Sequence, residues 1–411
     1  MKGQIKGLKV RLVRPITKAN LTKLDVAPYH SWTMLDIDLI RGRMAALDLN
    51  QAALSERCGV SKEAVSNWLS GESVPRPRKL RALSEALEID VEALLKADVD
   101  APEPVVAYRT KKNRPATDRA LEAARESAVH LRELVSFFQE NSLFAPPVLQ
   151  DPRLDDDYVN HAAMQTRQRI GLTERAPLTR DQLIELHKAF GSVLVPVLWG
   201  DDKSGHENAL SVYLPQTKTS CVVFSLNARV DDFNYWLAHE LGHCYTLPAL
   251  SGDDGEAFAE RFAQELLFPH AAAAYALEEI AASDDPMARA LFFAEAHDIS
   301  IVTVIRQIDR VAKSTGLKLS GLDTPQFWDE WNSNRVNVPT VAHSLFGTAN
   351  VSLEIYVKES ERIFGTPIFQ AIARWQDQEG GRSPSFIAST LNTTLDDATA
   401  LSHYLVKHYA H

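Results

Sequence analysis

Cysteine is scarce in this chain of 411 residues: Cys58, Cys221 and Cys244 are the only three, and they lie far apart. That excludes a disulfide framework and a zinc site built from cysteine alone. No apolar run approaches the ~18 residues of a membrane span. The first eighteen residues scatter Lys and Arg without the apolar centre of a signal peptide. The expectation is a cytoplasmic protein with no membrane partner. No internal repeat is evident. Apolar residues, by contrast, make up 45% of the chain, enough for two or three cores. The net charge of −10 is uneven: residues 1–96 carry 16 Lys and Arg against 11 Asp and Glu, and the remainder 28 against 43. A basic head on an acidic body fits a head that contacts nucleic acid, although a solvated surface gives the same imbalance.

Residues 36–96 read as five short helices. Leu39, Met44 and Leu47 give the first its apolar face, and Asn50 can cap the second. Gly59 supplies a tight turn, and Ser61 can cap a third helix with Val65 and Leu69 inward. Leu80, Leu83, Leu87, Ile89 and Leu94 close the bundle. This stretch, LNQAALSERCGVSKEAVSNWLSGESVPRPRKLRALSEALEIDVEALL, resembles the XRE family of phage-repressor-type helix-turn-helix domains. The resemblance implies double-stranded operator DNA as a partner, with the third helix in the major groove. Ser61, Lys62, Ser66 and Asn67 are then the candidate readers, and Gln51 suits a phosphate oxygen. Arg76, Arg78 and Lys79 can touch flanking phosphates. Such folds usually bind as homodimers on paired half-sites; the alternative is a bundle kept for protein contact. Residues 1–35 precede it as a basic arm or a short strand.

Residues 97–117 are rich in Pro, Asp, Lys and Arg and read as a linker. Helical patterns follow at 118–144, 155–170 and 181–190, and strand-like runs at 192–199, 213–214 and 220–226. Residues 319–411 contain further amphipathic helices and no recognisable chemistry.

The segment FNYWLAHELGHCYTLPAL, residues 233–250, carries the pattern His-Glu-x-x-His. On a helix, His239 and His243 project from one face, where two imidazoles can hold one zinc. Glu240 points about 100° round the helix, within reach of a water at the metal. The bare backbone of Gly242 leaves room for a substrate or a neighbouring strand. The pattern alone does not separate a zinc site from an amphipathic helix with two surface histidines. A catalytic zinc needs three protein ligands and an open position. The next helix, GEAFAERFAQELLF, offers Glu256 and Glu260 on one face; one can bind the metal and the other can orient a ligand histidine.

FSLNARVDDFNYWLAHELGH followed by EAFAERFAQELLFP resembles the ImmA/IrrE metallopeptidase family, over about residues 106–316. The resemblance implies Glu256 as third ligand. Glu260 stands where the family has a shorter Asn or Asp, which weakens its orienting role. The implied fold class is α+β, mainly α: a five-helix helix-turn-helix domain at 36–96, a linker at 97–117, a zincin-like metallopeptidase domain with a small sheet and the HExxH helix at 118–318, and a helical C-terminal region at 319–411. The implied activity is Zn2+-dependent peptide-bond hydrolysis, with His239, His243 and Glu256 holding the metal and Glu240 as general base. Tyr245, His206 and His270 are the candidates for oxyanion support, and Cys244 reads as core. The implied substrate is a helix-turn-helix repressor or an antitoxin, cut in a stress or phage response. The alternative is a transcriptional repressor or antitoxin whose body is a sensor or partner-binding module with little proteolysis.

Overall fold

The computed structural model describes residues 33–70, 75, 77–89, 92–97, 103–108, 118–138, 148–198, 210–215, 217–247, 249–379 and 383–409. Two separate hydrophobic clusters organise them, one in the head and one in the body.

The head runs β1 (Thr33–Leu35), α1 (Ile37–Ala46), α2 (Gln51–Cys58), α3 (Lys62–Ser70) and α4 (Pro77–Leu87). A single 3-10 turn, Glu92–Leu94, and β2 (Leu95–Ala97) complete it. Local chemistry sets the boundaries. The Asn50 side chain accepts from the Ala53 amide at 2.9 Å, and Gly59 ends α2 in the left-handed region at φ 61°. Ile40, Leu54, Val65, Leu83 and Leu87 fill the core. Two expectations are corrected. The fifth helix is only a 3-10 turn of three residues, Glu92–Leu94, because β2 begins at Leu95. Thr33–Leu35, assigned to the arm, pairs antiparallel with Leu95–Ala97. The remainder of the arm lies outside the described residues.

The body opens with a strand where a linker was expected: β3, Val105–Tyr108, within residues 97–117. Then come α5 (Asp118–Val135), α6 (Asp156–Arg169), α7 (Arg180–Ala189), β4 (Ser192–Val197), β5 (Leu210–Leu214) and β6 (Thr219–Ser225). The sheet order is β3-β5-β6-β4, with β4 parallel to β6 and the other pairs antiparallel. Every residue of β4, β5 and β6 is buried, the serines and Thr219 among them included. Next are α8 (Phe233–Thr246), α9 (Gly252–Leu267), α10 (His270–Ala281), α11 (Pro286–Ala296) and α12 (Ile301–Thr315).

Six helices follow: α13 (Pro325–Asn334), α14 (Val341–Phe346), α15 (Leu353–Phe364), α16 (Ile368–Glu379), α17 (Pro384–Leu391) and α18 (Leu395–Tyr409). These helices pack into the body's core. The Phe364 ring lies 5.1 Å from Phe224 on β6, the Tyr356 hydroxyl donates to the Pro196 carbonyl at 2.8 Å, and Ser127 on α5 donates to the Thr390 carbonyl at 2.9 Å. No described helix is long and apolar enough to cross a membrane.

Candidate metal centre

Helix α8 is buried along its whole length, from Phe233 to Thr246. That burial, rather than a strong apolar stripe, determines what its polar residues must do. Its entry is fixed by Arg335, which pairs with Asp231 at 3.6 Å and also with Asp232. Its middle is held by His187 on α7, whose Nε2 bonds the Leu237 carbonyl at 2.8 Å. Burial lowers the His187 pKa to about 4, so the ring is neutral and donates that bond. Leu247, preceding Pro248, is extended and ends the helix.

Helix α9 then folds back against α8. Gly242 makes the close crossing possible: a β-carbon there would sit 2.9 Å from the Ala259 Cα, 3.2 Å from its Cβ and 3.3 Å from Phe262 Cδ1. The neighbour that needs the space is α9, not a strand or a substrate. The crossing brings three side chains together. His239 Nε2 and His243 Nε2 are 3.2 Å apart, and the Glu256 carboxylate lies 3.3 Å from the first and 3.1 Å from the second. A tetrahedral ion with ~2.0–2.1 Å bonds separates its ligands by about 3.3 Å. The two Glu256 distances run to different oxygens, Oε2 towards His239 and Oε1 towards His243; with one donor atom from each residue the three lie within 4.8 Å of one another, close enough for the group to hold a metal ion. Burial raises the Glu256 carboxyl, but the two imidazoles outweigh it and hold the group below the usual carboxylate range.

Glu240, one residue along from His239, is buried, and its Oε2 accepts from the Ser211 hydroxyl on β5 at 2.5 Å. Sequence patterns gave no sign of Ser211, which lies 29 residues upstream on another element. A cleft of about 270 Å³ opens on the His243 and Glu256 side of the triad, lined also by Val106, Ala107, Leu247 and Asp253, among others. The side chain of Glu256 is 36% exposed against 2% for each histidine, so the cleft reaches the triad from the Glu256 side.

The remaining candidates divide. Glu260 is half-buried one turn beyond Glu256. The orienting bond expected of it is not made to His243, whose Nδ1 has no hydrogen-bond partner among the described residues. Tyr245 is fully buried with its hydroxyl 3.2 Å from Thr166, away from the cleft, and His270 is exposed at the start of α10. His206 lies outside the described residues. Cys244 is buried beside Ser192, and burial pushes its thiol up to about 12, as expected of an inert core residue.

In the head, Gln51, Ser61, Lys62, Ser66 and Asn67 are exposed, while Val65 and Trp68 are buried on the opposite side of α3. Ser61 Oγ accepts from the Ala64 amide at 3.2 Å, so it caps α3. Lys79 is committed elsewhere: its Nζ donates to the carbonyls of Cys58 and Gly59 at 3.1 and 2.8 Å, closing the end of α2. Arg76 lies outside the described residues.

Residues 40–94 match the helix-turn-helix family, and the head is an XRE-type domain of that family. Over 79 residues the chain is 39% identical to Repressor protein C2 of Salmonella phage P22, covering 19% of this chain and 36% of that protein. The chain thus spans about a third of the length of that relative. No solved structure matches the chain.

Proposed function

We propose that the chain is a DNA-binding transcriptional regulator whose body is a zinc-dependent peptidase, acting on a helix-turn-helix repressor or an antitoxin. For the head, the support is its match to a helix-turn-helix family and to a phage repressor, together with the exposed face of Lys62, Ser66 and Asn67. For the body, one observation carries the reading: one donor atom each from His239, His243 and Glu256 gather within 4.8 Å of one another, with Glu240 on the same helix as the two histidines.

In this reading His239, His243 and Glu256 hold the ion. A zinc held there would supply Lewis acidity, bringing the pKa of a bound water toward ~7 and polarising a scissile carbonyl. Glu240 is the group that takes the proton from water and returns it to the leaving amine. Ser211 fixes the Glu240 carboxylate by donating to Oε2. The buried surroundings of α8 exclude bulk water from the histidine side of the site. Purified protein is expected to carry one zinc per chain, and replacement of Glu256 by Ala to remove it. A protein that binds no divalent metal under any condition refutes the peptidase half and leaves a transcriptional regulator with a sensor or partner-binding body.

A further inference from the structure

The cleft beside the triad has an unexpected wall. Strand β3 is one of the two edge strands of the sheet and runs antiparallel to β5. It comes from the stretch between the head and the body, and Val106 and Ala107 line the cleft together with His243 and Glu256. Ala107 pairs with Ser211, the residue whose hydroxyl bonds Glu240. Directly opposed residues of an antiparallel pair share a face. The Ala107 side chain therefore stands on the face from which Ser211 reaches Glu240. Strand β3 is also weakly held: it has four residues, and Val105, Val106 and Ala107 are only half-buried, whereas every residue of β5 and β6 is buried. Short, partly solvated edge elements open most readily.

An extended peptide binds a sheet edge through main-chain hydrogen bonds, with side chains alternating between faces. Among the described strands, β5 is the one that both borders the cleft through its partner and touches Glu240. Its outer edge is taken by the chain's own segment. We propose that β3 stands in the place of the substrate: an extended peptide segment reaches the site by replacing Val105–Tyr108 on β5, with a small residue where Ala107 now lies. The proposal rests on the peptidase reading for its consequence. It names the substrate class as an unstructured segment with a small side chain opposite Ser211. It also makes the chain's own strand the competitor that every substrate displaces.

Crosslinking tests this. Val106 and Val212 are Cα partners on the face away from Glu240. Antiparallel partners lie about 4.5–5.5 Å apart, within disulfide range. Val212 also faces Cys221 on β6, so the full chain carrying Val106→Cys, Val212→Cys, Cys221→Ala and Glu240→Gln is prepared oxidised and reduced. The probe is a fluorescein-labelled peptide of residues 103–110, followed by anisotropy up to millimolar concentration, the range a tethered competitor demands. The expected result is binding by the reduced form and at least about tenfold weaker binding by the oxidised form. Amide exchange is expected to quicken at 105–108 when the peptide binds the reduced form and to stay slow on β5. Equal binding by both forms, or none by the reduced form, overturns the proposal. With Glu240 restored, the two ideas separate. A peptide that binds only the reduced form but is never cut refutes the peptidase reading and leaves the strand exchange standing. Cutting at equal rates by locked and reduced forms refutes the exchange and leaves the peptidase.

Discussion

Replacing Gly242 by Ala tests the crossing that assembles the site. Glycine inside a helix is about 1 kcal/mol worse than alanine, so an unconstrained Gly→Ala change stabilises. At Gly242 the added carbon would lie 2.9 Å from the Ala259 Cα, and a backbone atom of a packed helix cannot rotate away. Overpacking of this kind costs about 1–3 kcal/mol, and contact with backbone places it at the upper end. Subtracting the propensity gain leaves about 2 kcal/mol of net destabilisation. For domains of 150–250 residues that lowers Tm by about 4–8 °C, and by less for a larger core. The same strain pushes α9, which carries Glu256, away from α8, which carries His239 and His243. Weaker zinc binding should therefore accompany the lower Tm. Thermal melts and competitive zinc titration of wild type and Gly242→Ala measure both. An unchanged or higher Tm, with zinc affinity intact, refutes the argument that Gly242 sets the helix approach.

Other outcomes follow from the same reasoning. Burial lowers His187 and His297 to about 4, while an unfolded histidine titrates near ~6.5. Between those values the unfolded chain binds more protons, so stability falls as pH drops from about 6.5 to 4, by about 3 kcal/mol for His187 alone; His187→Gln should flatten the slope in pH-dependent denaturant melts. In the head, Asn67→Ala or Lys62→Ala should weaken binding to the chain's own promoter by about 1–3 kcal/mol without changing the melt. Lys79→Met should do the reverse, costing about 1 kcal/mol or more of head stability through the lost carbonyl bonds, as read by thermal melts. Glu256→Ala should release zinc on dialysis while the helical circular dichroism persists.

Particular residues show how far the chain could be read unaided. Asn50, Gly59 and Ser61 act within three or four residues of themselves, so their caps and turn were legible. The i, i+4 spacing of His239 and His243 likewise fixes their common face on a helix. Glu256 needed a family resemblance, because spacing alone left it and Glu260 equivalent. Ser211 was invisible: its bond to Glu240 depends on how a strand meets a helix, and a serine in a strand carries no signal of that. Strand β3 was missed because four residues, Val-Val-Ala-Tyr, sit among prolines and charges that look like a linker. Five of the six helices after α12 show in the sequence as amphipathic segments and α14 does not, and an apolar stripe states that a face is buried, not against what. Phe364 and Tyr356 chose the body's sheet.

The most direct test of the account incubates wild type and Glu240→Gln, each shown to hold one zinc, with candidate repressor and antitoxin proteins and follows cleavage by mass spectrometry. Wild type is expected to cut a defined bond in one of them, and Glu240→Gln to do so about 10²–10⁴-fold more slowly. Equal cleavage by both proteins, or a zinc-loaded wild type that cuts none of them, contradicts the account.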